Sequence, residues 1–246
     1  MNPALVFTCE HAGRIVPANL APLFRGHHNL LASHRGYDPG IAPVAEVIAA
    51  AYGVSLLRHD ISRLIVDVNR SPRHPNAFSE ITRPLPPAVR RTLRDRYHTP
   101  HRTAVEQAVR EARKTSDAVV HIGWHSFTPV LNGLVRRADI GVLYDPARAY
   151  ERRLAALLVT ALKAEFPAWT IRRNSPYRGT ADGLTTTLRR QWPDRRYAGL
   201  EVEINQKHLA GPADRKAVRA GVIRALARVL PPTPTPPART PGRTGK

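Results

Sequence analysis

Val119-Val120-His121-Ile122-Gly123-Trp124-His125-Ser126-Phe127-Thr128-Pro129 runs apolar up to a small glycine and then sets a histidine where a strand gives way to a loop. Read as a buried strand of a parallel sheet over 118–124, the stretch carries His125 to the carboxyl edge, where open α/β sheets gather ligands. Three other segments repeat the arrangement. Leu5 to Cys9 leads into Glu10-His11, Leu64 to Val68 into Asn69-Arg70, and Ala198 to Val202 into Glu203. Two imidazoles, an arginine and a carboxylate from separate strands then share one rim.

Working outward, the pattern alternates strands and helices. Ile41 to Tyr52 has Val44, Val47, Ile48 and Ala51 at helical spacing, with Gly53 as its stop. Val54 to Arg58 and Leu64 to Val68 are expected as strands. Pro100 to Lys114, Ala149 to Glu165, Asp182 to Gln191 and Asp214 to Val229 are expected as helices, and 139–144, 169–172 and 198–204 as further strands. Residues 14–40 and 71–99 are irregular and proline-bearing, and loops this long are usually functional or partly helical. The expected class is α/β in three layers: a mainly parallel sheet with helices on both faces. Residues 1–230 read as a single α/β domain, and 231–246 as a disordered tail of Pro, Thr, Gly and Arg.

Bulk composition narrows the classes. A chain of 246 residues with 42% hydrophobic content can bury an ordinary core. The single cysteine, Cys9, excludes a disulfide framework and a thiolate-rich metal site. No stretch approaches the roughly 18 apolar residues of a membrane span, so a cytoplasmic protein with no membrane partner is expected. The net charge of +19 invites a nucleic-acid reading. Arginine is scattered rather than clustered, however, and aromatics are not interleaved with it. A basic surface equally draws small anionic substrates.

His11 and His125 are the candidate metal ligands, because imidazole is the commonest zinc ligand and a catalytic site keeps three protein ligands. An isolated histidine more often hydrogen-bonds a carbonyl; two at the ends of apolar strands shift the balance. Asp38, in the glycine-flanked turn Gly36-Tyr37-Asp38-Pro39-Gly40, is preferred as third ligand, with Glu10 the competitor. Glu10 and His11 point to opposite faces unless the strand ends between them. Arg70 offers a carboxylate a bidentate fork, Asn69 can donate to the same group, and Arg63 approaches from the other side. Asp67 reads as an orienting group. Glu201 and Glu203 alternate onto one face of their strand. Glu203, nearer the carboxyl end, is the general-base candidate and Glu201 the reserve. His121 reads as a core or supporting residue, His98 and His101 as groups lining the cleft, and the remaining histidines, including His34 and His59, as surface or loop positions.

Six stretches in order resemble the N-formylglutamate amidohydrolase family: Cys9-Glu10-His11-Ala12-Gly13, Gly36 to Gly40, Ser62 to Arg70, Trp124 to Phe127, Asn174-Ser175-Pro176-Tyr177 and Glu203 to Gln206. The resemblance implies a phosphorylase/hydrolase-like fold related to zinc carboxypeptidases. Asp67-Val68-Asn69-Arg70 is similar to the Asp-Leu-Asn-Arg motif that relatives use for the substrate carboxylate, and Glu201 and Tyr177 are expected as further substrate contacts. Relatives take two metal ligands from a His-x-x-Glu motif, whereas His11 is followed by Ala12-Gly13-Arg14. After Glu-Ile the family continues Arg-Gln-Asp or Arg-Asn-Asp, and this chain has Asn205-Gln206-Lys207.

The expected activity is therefore zinc-dependent hydrolysis of a small anionic N-acyl amino acid, with N-formyl-L-glutamate the first candidate. One zinc ion on His11, Asp38 and His125, Glu203 as base and Arg63 beside the oxyanion complete that expectation. A non-catalytic small-anion binder on the same fold and a nucleic-acid-binding protein are the rival readings.

Overall fold

The computed structural model describes residues 3–231; the stretch expected to form a disordered tail lies, from residue 232 onward, outside the described residues. In chain order the elements are β1 (Ala4–Cys9), α1 (His28–Ala32), α2 (Ala42–Ala51), β2 (Leu56–Arg58), α3 (Pro87–Leu93), α4 (Thr99–Thr115), β3 (Val119–Phe127), β4 (Val130–Leu131), β5 (Leu134–Val135), β6 (Ile140–Leu143), α5 (Ala149–Glu165), β7 (Ile171–Arg173), α6 (Leu184–Gln191), β8 (Tyr197–Asn205) and α7 (Pro212–Val229). Six strands form one sheet in the order β2-β1-β3-β8-β6-β7. Strands β2, β1, β3 and β8 run parallel, while β6 pairs antiparallel with β8 and parallel with β7. The sheet is mixed and mostly parallel. Strands β4 and β5 form a separate hairpin turned by Asn132 and Gly133, both at positive φ.

Strand alternation sorts the sheet into two unlike faces. Phe7 and Cys9, Val120, Ile122 and Trp124, and Ala198, Leu200, Val202 and Ile204 join one apolar cluster with residues of α2, α5 and α7. On the opposite face Val6, Val119 and Tyr197 pack against Val105 and Val109 of α4 and Leu184 and Leu188 of α6. Further along that second face, toward the carboxyl ends of β1, β3 and β8, come Thr8, His125, Glu201 and Glu203. Helices therefore cover both faces, and the polar residues collect beyond the second layer.

Two local expectations need correction. The buried side of α2 is Ala42, Val44, Ala45, Ile48 and Ala49, whereas Val47 and Ala51 are exposed. The second concerns Leu64 to Val68, which forms no strand. Leu64, Ile65 and Val66 turn into a third cluster with Leu20, Phe24 and Leu93. Their backbone is satisfied from nearby loops instead of a neighbouring strand. Thr82 Oγ1 donates to the carbonyls of Leu64 and Ile65 at 3.2 and 2.9 Å, Ser79 Oγ donates to Leu64, and Asp67 N donates to Ala77 O at 2.8 Å. A short apolar run bounded by turn residues is ambiguous by periodicity alone. Side-chain hydroxyls decide it here.

A buried ion pair ties the second layer to the sheet. Arg189 Nε of α6 donates to both Glu151 oxygens, at 2.9 and 3.0 Å, and its other nitrogens donate to the carbonyls of Gly179 and Gly199. Glu151 also accepts from Gly199 N at 3.0 Å and Asp145 N at 2.9 Å. One cluster thus joins α5, α6, β8 and the loop at 174–183. Replacing Arg189 with alanine leaves Glu151 with Arg148, 3.2 Å away, and two backbone amides, and is expected to cost about 1–3 kcal/mol of stability, measured as a lower urea midpoint. An unchanged midpoint would show that the pair contributes nothing.

Candidate active site

Strand β1 ends at Cys9, which is the condition that lets Glu10 and His11 turn toward one site. Asp38 reaches the same place from the turn before α2, where its amide donates to His11 O at 2.9 Å. That turn is held by Ser62 Oγ and Arg63 N, both donating to Gly36 O, at 2.9 and 3.1 Å. Asp38 does not cap α2; its Oδ2 accepts from Ser126 N at 3.3 Å. His125 lies inside β3, which continues to Phe127 rather than ending before the histidine. Pairing with β8 sustains the strand, and His125 stands opposite Glu203 in that register.

Five titratable side chains converge. His125 Nδ1 is 3.0 Å and His11 Nδ1 3.6 Å from Asp38 Oδ2, and all three residues are buried. Ligand atoms of His11, Asp38 and His125 lie within 4.8 Å of one another, a group able to hold a metal ion. The far ring nitrogens face carboxylates: His11 Nε2 is 2.8 Å from Asp67 Oδ1, and His125 Nε2 is 3.2 Å from Glu10 Oε2. An ionised carboxylate only accepts, so a proton on each Nε2 would leave Nδ1 to ligate once a cation takes the place of the proton that Asp38 accepts from His125 Nδ1. His11 Nδ1 has no hydrogen-bond partner despite its burial, which fits a missing cation. Glu10 therefore stands behind His125, outside the group of ligand atoms that lie close together. Asp67 supports His11 in the same way.

Electrostatics favour positive charge at the centre. Burial alone would raise the Asp38 pKa, but Arg63 and His11 carry it well below the usual carboxylate range. Arg63 pairs directly with Asp38 Oδ1. Burial and Arg63 act to lower His11, yet the Asp67 and Asp38 carboxylates leave its net shift upward. Against burial, Asp38 and Glu10 lift His125 well above its ordinary value. Glu203 behaves oppositely. Burial, helped by Asp38 and Glu201 against the pull of His125, pushes its carboxyl up to about 7. Its Oε2 is buried without a partner.

A cleft of about 190 Å³ opens over this group, and Arg63, Asn69, Arg70, Tyr177, Glu201 and Glu203 all line it. Asn69 is fixed through Oδ1, which accepts from Leu184 N at 2.8 Å, and Arg70 Nη1 donates to Asp182 O at 2.8 Å. Glu201 Oε1 accepts from Thr185 Oγ1 at 2.9 Å. Tyr177 is 43% exposed and accepts from Arg136 Nη1 at 2.8 Å. His98 stands behind the wall, 2.8 Å from Arg70 O, and His101 packs on His59; neither lines the cleft. His34, expected at the surface, does line it, as do Arg178 and Asp182. Their only signal in the sequence is position, in or beside stretches read for other residues. His121 is a core residue, bridging Thr8 Oγ1 at 2.8 Å and Tyr197 Oη at 2.7 Å.

A family described as N-formylglutamate amidohydrolase matches residues 3–210. The chain belongs to that family. As an N-formylglutamate amidohydrolase family member with a buried His/Asp/His group, it is a metal-dependent amidohydrolase that cleaves the amide bond of an N-acyl amino acid. Among solved structures it is similar to the gene product Atu2144 of Agrobacterium tumefaciens, with 28% identity and a TM-score of 0.80 over 93% of this chain and 90% of that one. It is also similar to the N-formylglutamate amidohydrolase of Ralstonia eutropha JMP134, with 20% identity and a TM-score of 0.63 over 93% and 94%, a likeness of fold alone. No curated protein matches the sequence. Among the described residues no helix is long and apolar enough to cross a membrane.

The support behind His11 is open to test. Asp67→Asn keeps all three ligand residues but weakens the acceptor that fixes the His11 ring, and is expected to lower metal affinity about 10- to 100-fold. Competition with a chromophoric chelator measures this. Unchanged affinity would leave Asp67 without a part in the metal site.

Proposed function

We propose that the chain hydrolyses N-formyl-L-glutamate to formate and glutamate, with zinc as the ion. The observation that carries this is Glu203: a buried carboxyl with an unpartnered oxygen and a pKa near neutrality, across the strand register from His125 and inside the cleft that Asn69 and Arg70 also line. A base poised near the working pH accepts and returns protons readily.

His11, Asp38 and His125 would hold the ion, which supplies a Lewis acid that polarises the formyl carbonyl and eases deprotonation of a water. Glu203 Oε2 takes the proton as the water oxygen bonds to the formyl carbon. The same carboxyl returns it to the amide nitrogen as the carbon–nitrogen bond breaks, so formic acid and a neutral amine form, and the acid's proton passes to the amine to give formate and an ammonium. Arg63 Nε is buried without a partner and is free to face the developing oxyanion while Nη2 holds Asp38. Arg70 and Asn69 bind a substrate carboxylate, and Glu201 and Tyr177 border the remaining space. We place the reaction in the cytoplasm and assign it to residues 1–230 as one domain. In support, every described strand outside the β4–β5 hairpin belongs to one sheet. We also propose the phosphorylase/hydrolase-like, zinc-carboxypeptidase-related variant of the architecture, which the ligand group at the carboxyl edge of a mixed sheet supports.

Glu203→Gln keeps shape and removes the base. Turnover of N-formyl-L-glutamate is expected to fall at least about 100-fold, while metal content stays near one ion per chain. A chelator should abolish wild-type activity and added zinc restore it. Retained turnover in the glutamine variant would exclude Glu203 as the base.

A further inference from the structure

Three arginines line the cleft, and two are already committed. Arg63 is paired with Asp38, and Arg70 leans on the carbonyl of Asp182. Arg178 is different: among the described residues its guanidinium has no hydrogen-bond or ion-pair partner. The acids nearby do not claim it. Asp67 holds His11, Asp182 Oδ2 accepts from Ser71 N at 2.8 Å, and Glu201 is bonded to Thr185.

The loop that carries Arg178 is rigidly seated. Asn174 Oδ1 accepts from both Tyr144 N and Gly179 N, each at 3.0 Å. Gly179 is pressed so close to β6 that a Cβ there would lie 2.1 Å from Tyr144 N, which leaves room only for glycine. The Gly179 carbonyl is further held by Arg189, itself locked to Glu151. An exposed arginine on a fixed loop is a preorganised fork rather than a wandering one.

Depth separates Arg70 from Arg178. Arg70 is half-buried in the cleft wall, and Arg178, which also lines the cleft, is exposed. In an N-acyl amino acid the α-carboxylate is two bonds from the amide nitrogen, while a side-chain carboxylate lies further out.

We propose that Arg178 is a specificity-determining residue that binds the side-chain carboxylate of an N-acyl dicarboxylic amino acid, leaving the α-carboxylate to Arg70 and Asn69. The inference rests on the amidohydrolase reading and assigns to one residue its preference among N-acyl amino acids. Neutral side chains of the same length leave the guanidinium unpaired and are disfavoured.

The test uses the metal-loaded full chain and three substrates: N-formyl-L-glutamate, N-formyl-L-glutamine and N-formyl-L-isoglutamine, whose α-carboxylate is an amide. The wild type is expected to prefer glutamate to both amides. In Arg178→Gln the glutamate-over-glutamine ratio of kcat/KM should fall about 10- to 100-fold, chiefly through KM. Its preference over isoglutamine should persist, and Arg178→Lys should recover part of the loss. An unchanged glutamine ratio, an equal fall in both ratios, or a wild type indifferent to the side-chain charge would each overturn the assignment while leaving the amidohydrolase reading intact. A metal-loaded wild type that hydrolyses none of the three would instead remove the reading itself, and the assignment with it.

Discussion

Glu10, Asp38 and Asp67 are three carboxylates gathered around two imidazoles, all buried at the floor of the cleft. Burying charge is costly unless it is matched. Hydrogen bonds from Ser126 N and Asn69 N and the Arg63 guanidinium meet part of the need. The rest falls to positive charge between the Nδ1 atoms, whether protons or a metal ion. The upward shifts of both histidines express that demand. Much of the loop architecture exists to hold these groups at fixed distances.

Strand parity makes such a cluster compatible with a stable core. One face of β1, β3 and β8 is uniformly apolar and carries three helices, so the sheet is secured without help from the other. The second face is apolar only near the amino ends. Its carboxyl half is then free to present polar side chains toward the cleft, where Thr185 at the start of α6 bonds Glu201. The same division explains why the Glu203 carboxyl is pushed up to about 7 while that of Asp38 is held well below the usual range. Asp38 meets a guanidinium and two imidazoles; at Glu203, burial and two like charges outweigh the pull of His125.

The sheet and the order of its helices were legible from periodicity, and the meeting of His11, His125 and Glu203 from their places toward the carboxyl ends of apolar strands, with Asp38 marked by its glycine-flanked turn. Ala149 to Glu165 matches its helix to the residue. Leu64 to Val68 was not legible, since its composition suits a strand and only the hydroxyls of Ser79 and Thr82, far along the chain, make a buried turn tenable. The supporting roles of Glu10 and Asp67 depend on which ring nitrogen faces which carboxylate, a matter of rotamer and depth that spacing does not encode. Arg178 and His34 escaped notice for a related reason. Loop residues carry no period, so their direction is set by tertiary contacts such as the seat of Gly179.

The departure from the His-x-x-Glu spacing has a physical reading in the same terms. A ligand three residues after a histidine suits a helical turn, which brings both side chains to one face. Here the chain after His11 cannot take that path: Gly13 is pressed against the backbone of Asp60, with a Cβ position only 2.5 Å from its carbonyl oxygen. Ala12 N and Ile15 N instead bond to the carbonyls of His59 and Asp60, drawing the segment out as an extended connection along residues 59–62. That leaves the position beside His11 open. Asp38 fills it from the turn before α2, and the bond from its own amide to the His11 carbonyl sets the two ligands against each other directly. The carboxylate is supplied by a different part of the chain, with the geometry maintained by one backbone hydrogen bond and the packing of a glycine.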